Sequence, residues 1–207
     1  MKNSPYSNMK QILLILAVVA LVGCWKKEAP KGEIRVRVQR STPYQELPKA
    51  TVGKLITNPI VEKAIREQIY KRTGELTEAD LDKATSLILS YNELTEVPKG
   101  LENLNQLTSL HLWNNQLTDV KGLEKLTQLE TLNLQDNKLT DIKGLEKLTQ
   151  LKSLRLEDNQ LTDVKGLEKL TGLTELYLMD NPDLTKAQIA ELQKALPKCL
   201  IHCNPKK

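Results

Sequence analysis

The stretch LTSLHLWNNQLTDVKGLEKL, residues 107–126, carries two hydrophobic rhythms in succession. Leu110-His111-Leu112 alternates, so both leucines leave a short extended segment on the same side. Leu117, Val120, Leu123 and Leu126 then recur every third residue, which predicts a tight return that brings apolar side chains back towards the same interior. Asn115 stands between the two rhythms. A strand, an inward turn and an apolar return make one closed coil.

The unit recurs every 22 residues, beginning again at Leu129, Leu151 and Leu173, with Asn137, Asn159 and Asn181 in the Asn115 slot. An earlier copy lies over residues 84–106, with Leu87, Leu89, Asn92, Leu94, Val97, Leu101 and Leu104 in register; Pro98 makes it one residue longer. A terminal half-copy is expected at the C-terminus, with Leu196, Cys199, Ile201 and Asn204 matching Leu173, Leu176, Leu178 and Asn181. Fixed periods of this length specify stacked coils, because one coil cannot bury its own apolar face. Composition agrees: the 207 residues contain no Phe and only 3% aromatics, so leucine fills a repeated slot. Burying one such leucine contributes about 1.5–3 kcal/mol.

These residues resemble the leucine-rich repeat, and Leu-Thr-Asp-Val-Lys-Gly-Leu at this spacing is similar to the internalin class. The resemblance implies an α/β solenoid with a short parallel sheet on its concave face and helical caps at both ends. Asn58-Pro59 predicts a helix start, with Val61, Ala64, Ile65 and Ile69 at helical spacing and Gly74 as the stop. Thr77 and Asp80 read as a capping box. Thr185 and Gln188 open a C-terminal helix carrying Ile189, Leu192 and Leu196, which Pro197 ends. The expected division is a signal segment at 1–23, a linker at 24–55, an N-terminal cap at 56–83, repeats at 84–183 and a C-terminal cap at 184–207.

The asparagine column (Asn92, Asn115, Asn137, Asn159, Asn181) is expected to be structural. The chain turns inward there and leaves backbone groups without ladder partners, which an Asn amide can satisfy from both its donor and acceptor ends.

The N-terminus reads as an address. Lys2 and Lys10 precede eleven apolar residues, Ile12 to Val22, too few for a bilayer core that needs about 20 but suited to a signal peptide. Leu21-Val22-Gly23-Cys24 resembles the lipobox of bacterial lipoproteins. That resemblance implies that Cys24 becomes the mature N-terminus, carrying a thioether diacylglycerol and an N-acyl chain, and anchors the protein to a membrane. Trp25 follows where an Asp would imply inner-membrane retention, so the reading leans towards the outer membrane or cell surface. Residues 25–55, with Pro30, Pro43, Pro48 and a basic cluster, have the composition of a tether; the alternation of Ile34, Val36 and Val38 is compatible with one short strand.

Net charge is +4 from 30 basic and 26 acidic residues. Most charges alternate as Lys/Glu neighbours, such as Glu124-Lys125, the pattern of a solvated face. With no basic stripe interleaved with aromatics, nucleic acid is not an expected partner.

Function is expected on the outward strand positions. One column reads Ile88, His111, Asn133, Arg155, Tyr177, and a second Ser90, Trp113, Gln135, Glu157, Met179. The return segments 117–126, 139–148 and 161–170 are nearly identical, whereas the outward positions differ in every copy. Duplication alone would leave all positions alike. His111, Trp113, Asn133, Gln135, Arg155, Glu157, Tyr177 and Met179 are therefore the candidate contacts for a protein or peptide; Trp, Tyr and Arg dominate interface energetics. The competing reading is a structural envelope lipoprotein without a dedicated ligand.

Asp136, Asp158 and Asp180 form an acidic column, about 4.8 Å apart if the coils stack. Such a column could serve calcium, but solvated turn residues are the preferred reading, so no metal and no cofactor are expected. Cys199 is expected to be a small buried residue. Cys203 would lie about 13 Å away along an extended chain, too far for a disulfide without a turn. His202 beside these thiols makes no nucleophile site by itself, and the absence of any segment for a catalytic domain argues against an enzyme.

Overall fold

A computed structural model describes residues 56–205, which fall in one compact unit, Ala50–Lys207. The signal segment, Cys24, the linker and its possible strand lie outside the described residues. Among the described residues no helix is long and apolar enough to cross a membrane.

Six three-residue strands form one parallel sheet in strict chain order: β1 (Ser86–Ile88), β2 (Ser109–His111), β3 (Thr131–Asn133), β4 (Ser153–Arg155), β5 (Glu175–Tyr177) and β6 (Leu200–His202). Leu87, Leu110, Leu132, Leu154 and Leu176 stand side by side in register and are buried, as are Leu89, Leu112, Leu134, Leu156 and Leu178. The return leucines meet them from the far side: Leu117, Leu123, Leu139, Leu145, Leu161 and Leu167 are also buried. The fold is thus a leucine-rich-repeat solenoid whose core is a stack of leucine layers.

The near-identity of the return segments has a backbone cause. Gly100, Gly122, Gly144 and Gly166 adopt φ of 101, 100, 111 and 95°, a region that side chains rarely enter. Two residues on, a glutamate turns back: Glu102, Glu124, Glu146 and Glu168 accept hydrogen bonds from these glycine amides at 2.6–2.7 Å. The carboxyls of Glu124 and Glu146 are held below the usual range by their own backbone amides and then by the glycine N–H. These glutamates, grouped by sequence with solvated charge, are turn caps.

The ends are closed by helices. In α1 (Pro59–Gln68) the Asn58 side chain accepts from the amides of Ile60 and Val61, and Val61 and Ile65 are buried. The helix stops at Gln68, before the expected Gly74, because Tyr70 enters the left-handed region at φ 57°. Thr77 and Asp80 form a reciprocal capping box on α2 (Glu78–Leu81). A second reciprocal box, Thr185 with Gln188, opens α3 (Lys186–Ala195), which ends before Pro197 with Leu192 and Leu196 buried.

The terminal half-copy is real but shifted by two residues. Ile201, not Cys199, pairs with Leu176, and His202 pairs with Tyr177. The α3 helix leads into β6 two residues later than the 22-residue pattern places it. Cys199 is buried ahead of the strand; it and Cys203, half-buried beyond the strand, are free thiols. Asn204 accordingly misses the asparagine column, and its side chain instead engages the backbone amide and the carboxylate of Asp180.

Candidate functional site: the outer face of the sheet

Each asparagine after a strand ties two coils together. Asn137 donates from Nδ2 to the carbonyls of Leu134 in its own coil and Leu112 in the preceding one, while its Oδ1 accepts from the Leu117 amide at 3.0 Å. Asn115, Asn159 and Asn181 repeat the arrangement. Asn92 belongs to the first coil; its side chain reaches only Ser90 O, and its own amide donates to Asn115 Oδ1. This column holds the strands at fixed spacing and offers nothing outward.

The residue before each asparagine explains the acidic column. Tyr91, Asn114, Asp136, Asp158 and Asp180 all have φ between 52 and 58°, a conformation that Asn and Asp tolerate better than other side chains. The stacking still carries an electrostatic cost: burial first, then Asp136 and Asp180, pushes the Asp158 carboxyl above its ordinary value. Among the described residues no three His, Cys, Asp or Glu side chains converge to hold a metal ion.

Outward positions of the strands share one face, and their side chains gather into three zones. At the N-terminal end Ile88 is 69% and Tyr91 64% exposed. Tyr91 meets the Trp113 ring edge-on at 4.5 Å, a favoured aromatic geometry. His111 lies beside them, its Nε2 3.2 Å from Ser109 Oγ, with burial lowering its pKa.

At the C-terminal end three planar groups pile up. The Arg155 guanidinium lies 4.9 Å from the Tyr177 ring centroid, and Tyr177 stacks on His202 at 4.4 Å with 7° between planes. Tyr177 also donates to Glu175 at 3.3 Å; burial, then Glu175, raises its pKa. Leu200, 59% exposed, extends this end.

The middle zone departs from the sequence expectation. Asn133 and Glu157, expected as exposed contacts, are buried, Glu157 to 3% exposure. Asn133 turns its Oδ1 onto the Gln135 amide. Arg155 places both Nε and Nη2 on Glu157 Oε1, at 3.0 and 2.7 Å, which raises the Arg155 pKa. Glu157 Oε2 is buried without a partner. Such an orphaned acceptor costs about 1–3 kcal/mol. Gln135 and Met179 are half-buried beside Glu157 in the same column.

His202, Leu200 and Tyr91 join this face although sequence reading did not assign them to it. A shift of two residues preserves the alternation, so Leu200 and His202 face outward in either register; the outward columns read from the repeats end at Tyr177 and Met179, before the half-copy. Tyr91 was hidden because it follows the strand in the left-handed position rather than within the alternating pattern.

The family described as leucine-rich repeats (two copies) matches residues 85–125, 105–147 and 149–194. Among solved structures, an internalin from Listeria monocytogenes aligns at 26% identity with a TM-score of 0.64, covering 73% of this chain and 44% of that one. A leucine-rich-repeat protein of Leptospira interrogans aligns at 34% identity and TM-score 0.54, covering 61% of this chain and 33% of that one. The functional domain of InlJ from Listeria monocytogenes, at 24% identity and TM-score 0.50, covering 65% of this chain and 28% of that one, shares the fold. No curated protein matched the sequence. The chain spans less than half the length of the three solved chains it matches here.

Proposed function

Because the chain belongs to the leucine-rich-repeat family, we propose that it is a non-enzymatic binding protein, lipid-anchored through Cys24 in a bacterial envelope, that captures a protein or peptide on the concave face of its repeats. Leucine-rich-repeat proteins of the internalin type are protein-binding modules, which supports the class of partner. The observation that carries the reading is the contrast between the two sides of each coil. The return side repeats one sequence because Gly, Glu and Leu are each required by the backbone or core. The sheet face varies from coil to coil and carries Trp113, Tyr177 and Arg155, the residue types that dominate interface energetics.

In this reading His111 and Trp113 form one contact zone with Tyr91, and Arg155, Tyr177 and His202 form the other. Gln135 and Met179 lie between them, with Asn133 and Glu157 beneath. The lipid at Cys24, followed by the 25–55 tether, holds this surface at the outer membrane or cell surface.

The test is a photo-cross-linking side chain placed in living cells at Gln135 on the sheet face and, separately, at Lys147 on the return side. A single protein adduct formed only from position 135, and lost when Trp113 and Tyr177 are both alanine in a folded chain, is the expected result. Adducts of equal yield from both positions would overturn the assignment of the face.

A further inference from the structure

Three buried side-chain polar atoms among the described residues have no partner, and two of them, Ser90 Oγ and Glu157 Oε2, stand in one outward column of the sheet face. The third is Gln68 Oε1, at the end of the N-terminal helix. An ionised carboxylate accepts through both oxygens, and an arginine fork usually engages both at once. Here Arg155 spends two donors on one oxygen. The second oxygen of a carboxylate that is almost wholly removed from water is left open.

The surroundings favour positive charge. Asp136, Asp158 and Asp180 line the turns that follow β3, β4 and β5. Their mutual repulsion, together with Glu157, adds to burial in raising the Asp158 carboxyl. Arg155 offsets one of these charges and is already held by the ring of Tyr177. Metal ligation is a poor match, because no three ligating side chains converge among the described residues. A guanidinium or ammonium group needs only separate acceptors and an acidic rim. The half-buried column neighbours of Glu157 are Gln135 and Met179, and an unbranched methionine side chain adapts readily to an incoming group.

We propose that the sheet face between β3 and β5 receives a basic side chain of the bound partner, with Glu157 Oε2 as its buried acceptor and Asp136, Asp158 and Asp180 as its rim. This assignment rests on the reading of that face as the partner surface. It specifies the partner's contribution: an arginine or lysine presented between the two aromatic zones.

The test is calorimetric titration of the full-length chain with a capped tetra-arginine peptide at low ionic strength. Binding is expected, and Glu157→Gln is expected to weaken it about ten-fold, the scale of one charge-assisted hydrogen bond. Asp158→Asn keeps a residue suited to the left-handed position and is expected to weaken it about three-fold, as a rim charge would. Glu191→Gln on α3 is expected to leave it unchanged, and thermal unfolding followed by circular dichroism establishes that each variant is folded. No binding of the peptide, equal losses in Glu157→Gln and Glu191→Gln, or calcium chloride binding that Glu157→Gln abolishes would each overturn the assignment. Cellular capture that is lost with Trp113→Ala and Tyr177→Ala but untouched by Glu157→Gln would overturn it while leaving the partner surface in place. Capture that survives all three substitutions would overturn both.

Discussion

Tyr177 and His202 stack with 7° between their planes and 4.4 Å between centroids, although one lies in a full repeat and the other beyond the cap helix α3. They meet because β6 pairs with β5 in the register that sets Ile201 beside Leu176. The cap therefore contributes to the sheet face as well as closing the core.

It follows that His202→Ala should weaken partner capture as much as Tyr177→Ala does, while costing only the stacked pair, about 0.5–1.5 kcal/mol, in urea unfolding. Both side chains lie on the outer face, away from the leucine layers. Undiminished capture by the His202 variant, measured by pull-down of the cross-linked partner, would remove the terminal strand from the binding surface.

The asparagine column predicts a gradient of stability effects. Asn137→Ala bares the Leu117 amide inside the stack and takes one of two asparagine donors from each of the Leu112 and Leu134 carbonyls, which keep Asn115 and Asn159; it should cost about 1–3 kcal/mol, the scale of one bared buried group. Asn92→Ala removes only a bond to Ser90 in its own coil and should cost about 1 kcal/mol or less. Urea unfolding of the two variants measures the difference; equal losses would contradict the inter-coil role.

Leucine removal tests the layered core more directly. Leu132→Ala, at a fully buried centre, should cost about 2–5 kcal/mol. Gly144→Ala places a side chain at φ 111° and should cost about 1–3 kcal/mol from strain alone. A methyl group at that position would meet only Glu124 Cβ, at 3.8 Å, so a larger loss would point to a disturbed Glu146 cap.

Asp80 makes the N-terminal cap sensitive to acid. Its carboxylate is buried, accepts from the Thr77 amide and hydroxyl, and pairs with Lys71 and Lys83. The Lys71 bond first, and the Thr77 bonds after it, hold its pKa far below the usual carboxylate range. A depressed folded-state value means its stabilisation is fully present above the unfolded value near 4 and fades as the pH falls below it. Thermal midpoints should thus drop more steeply between about pH 4 and pH 2 in the wild type than in Asp80→Asn, which starts lower at pH 7. Parallel curves would show that the cap owes nothing to this charge.

Cys24→Ala should move the protein from the membrane pellet to the soluble fraction. Protease added to intact cells should digest the wild-type repeats if they face outward; protection until lysis would relocate the partner search to the periplasm.

Most of the architecture was legible because its period is short and its apolar slots are narrow. Leu110 and Leu112 could only face inward, and Thr77 with Asp80, or Thr185 with Gln188, state a helix start in four letters. The glutamate caps of the return turns were not legible, since a Glu beside a Lys looks the same whether it is solvated or folded back onto a glycine amide. The exposure of Asn133 and Glu157 was misjudged for a related reason. Alternation assigns a face to a side chain, but burial on that face depends on neighbours from other coils and on a rotamer such as the one that brings Arg155 onto Glu157.

The sequence alone determined the coil, its period, its interior and the asparagine ladder, because each rests on interactions repeated at a fixed separation along the chain. Only the tertiary structure decided the register of the last strand, the stack of Arg155, Tyr177 and His202, and the buried carboxylate with one oxygen open. Those depend on where helix α3 delivers the chain and on how side chains from different coils divide the space of one shared face, neither of which a local pattern encodes.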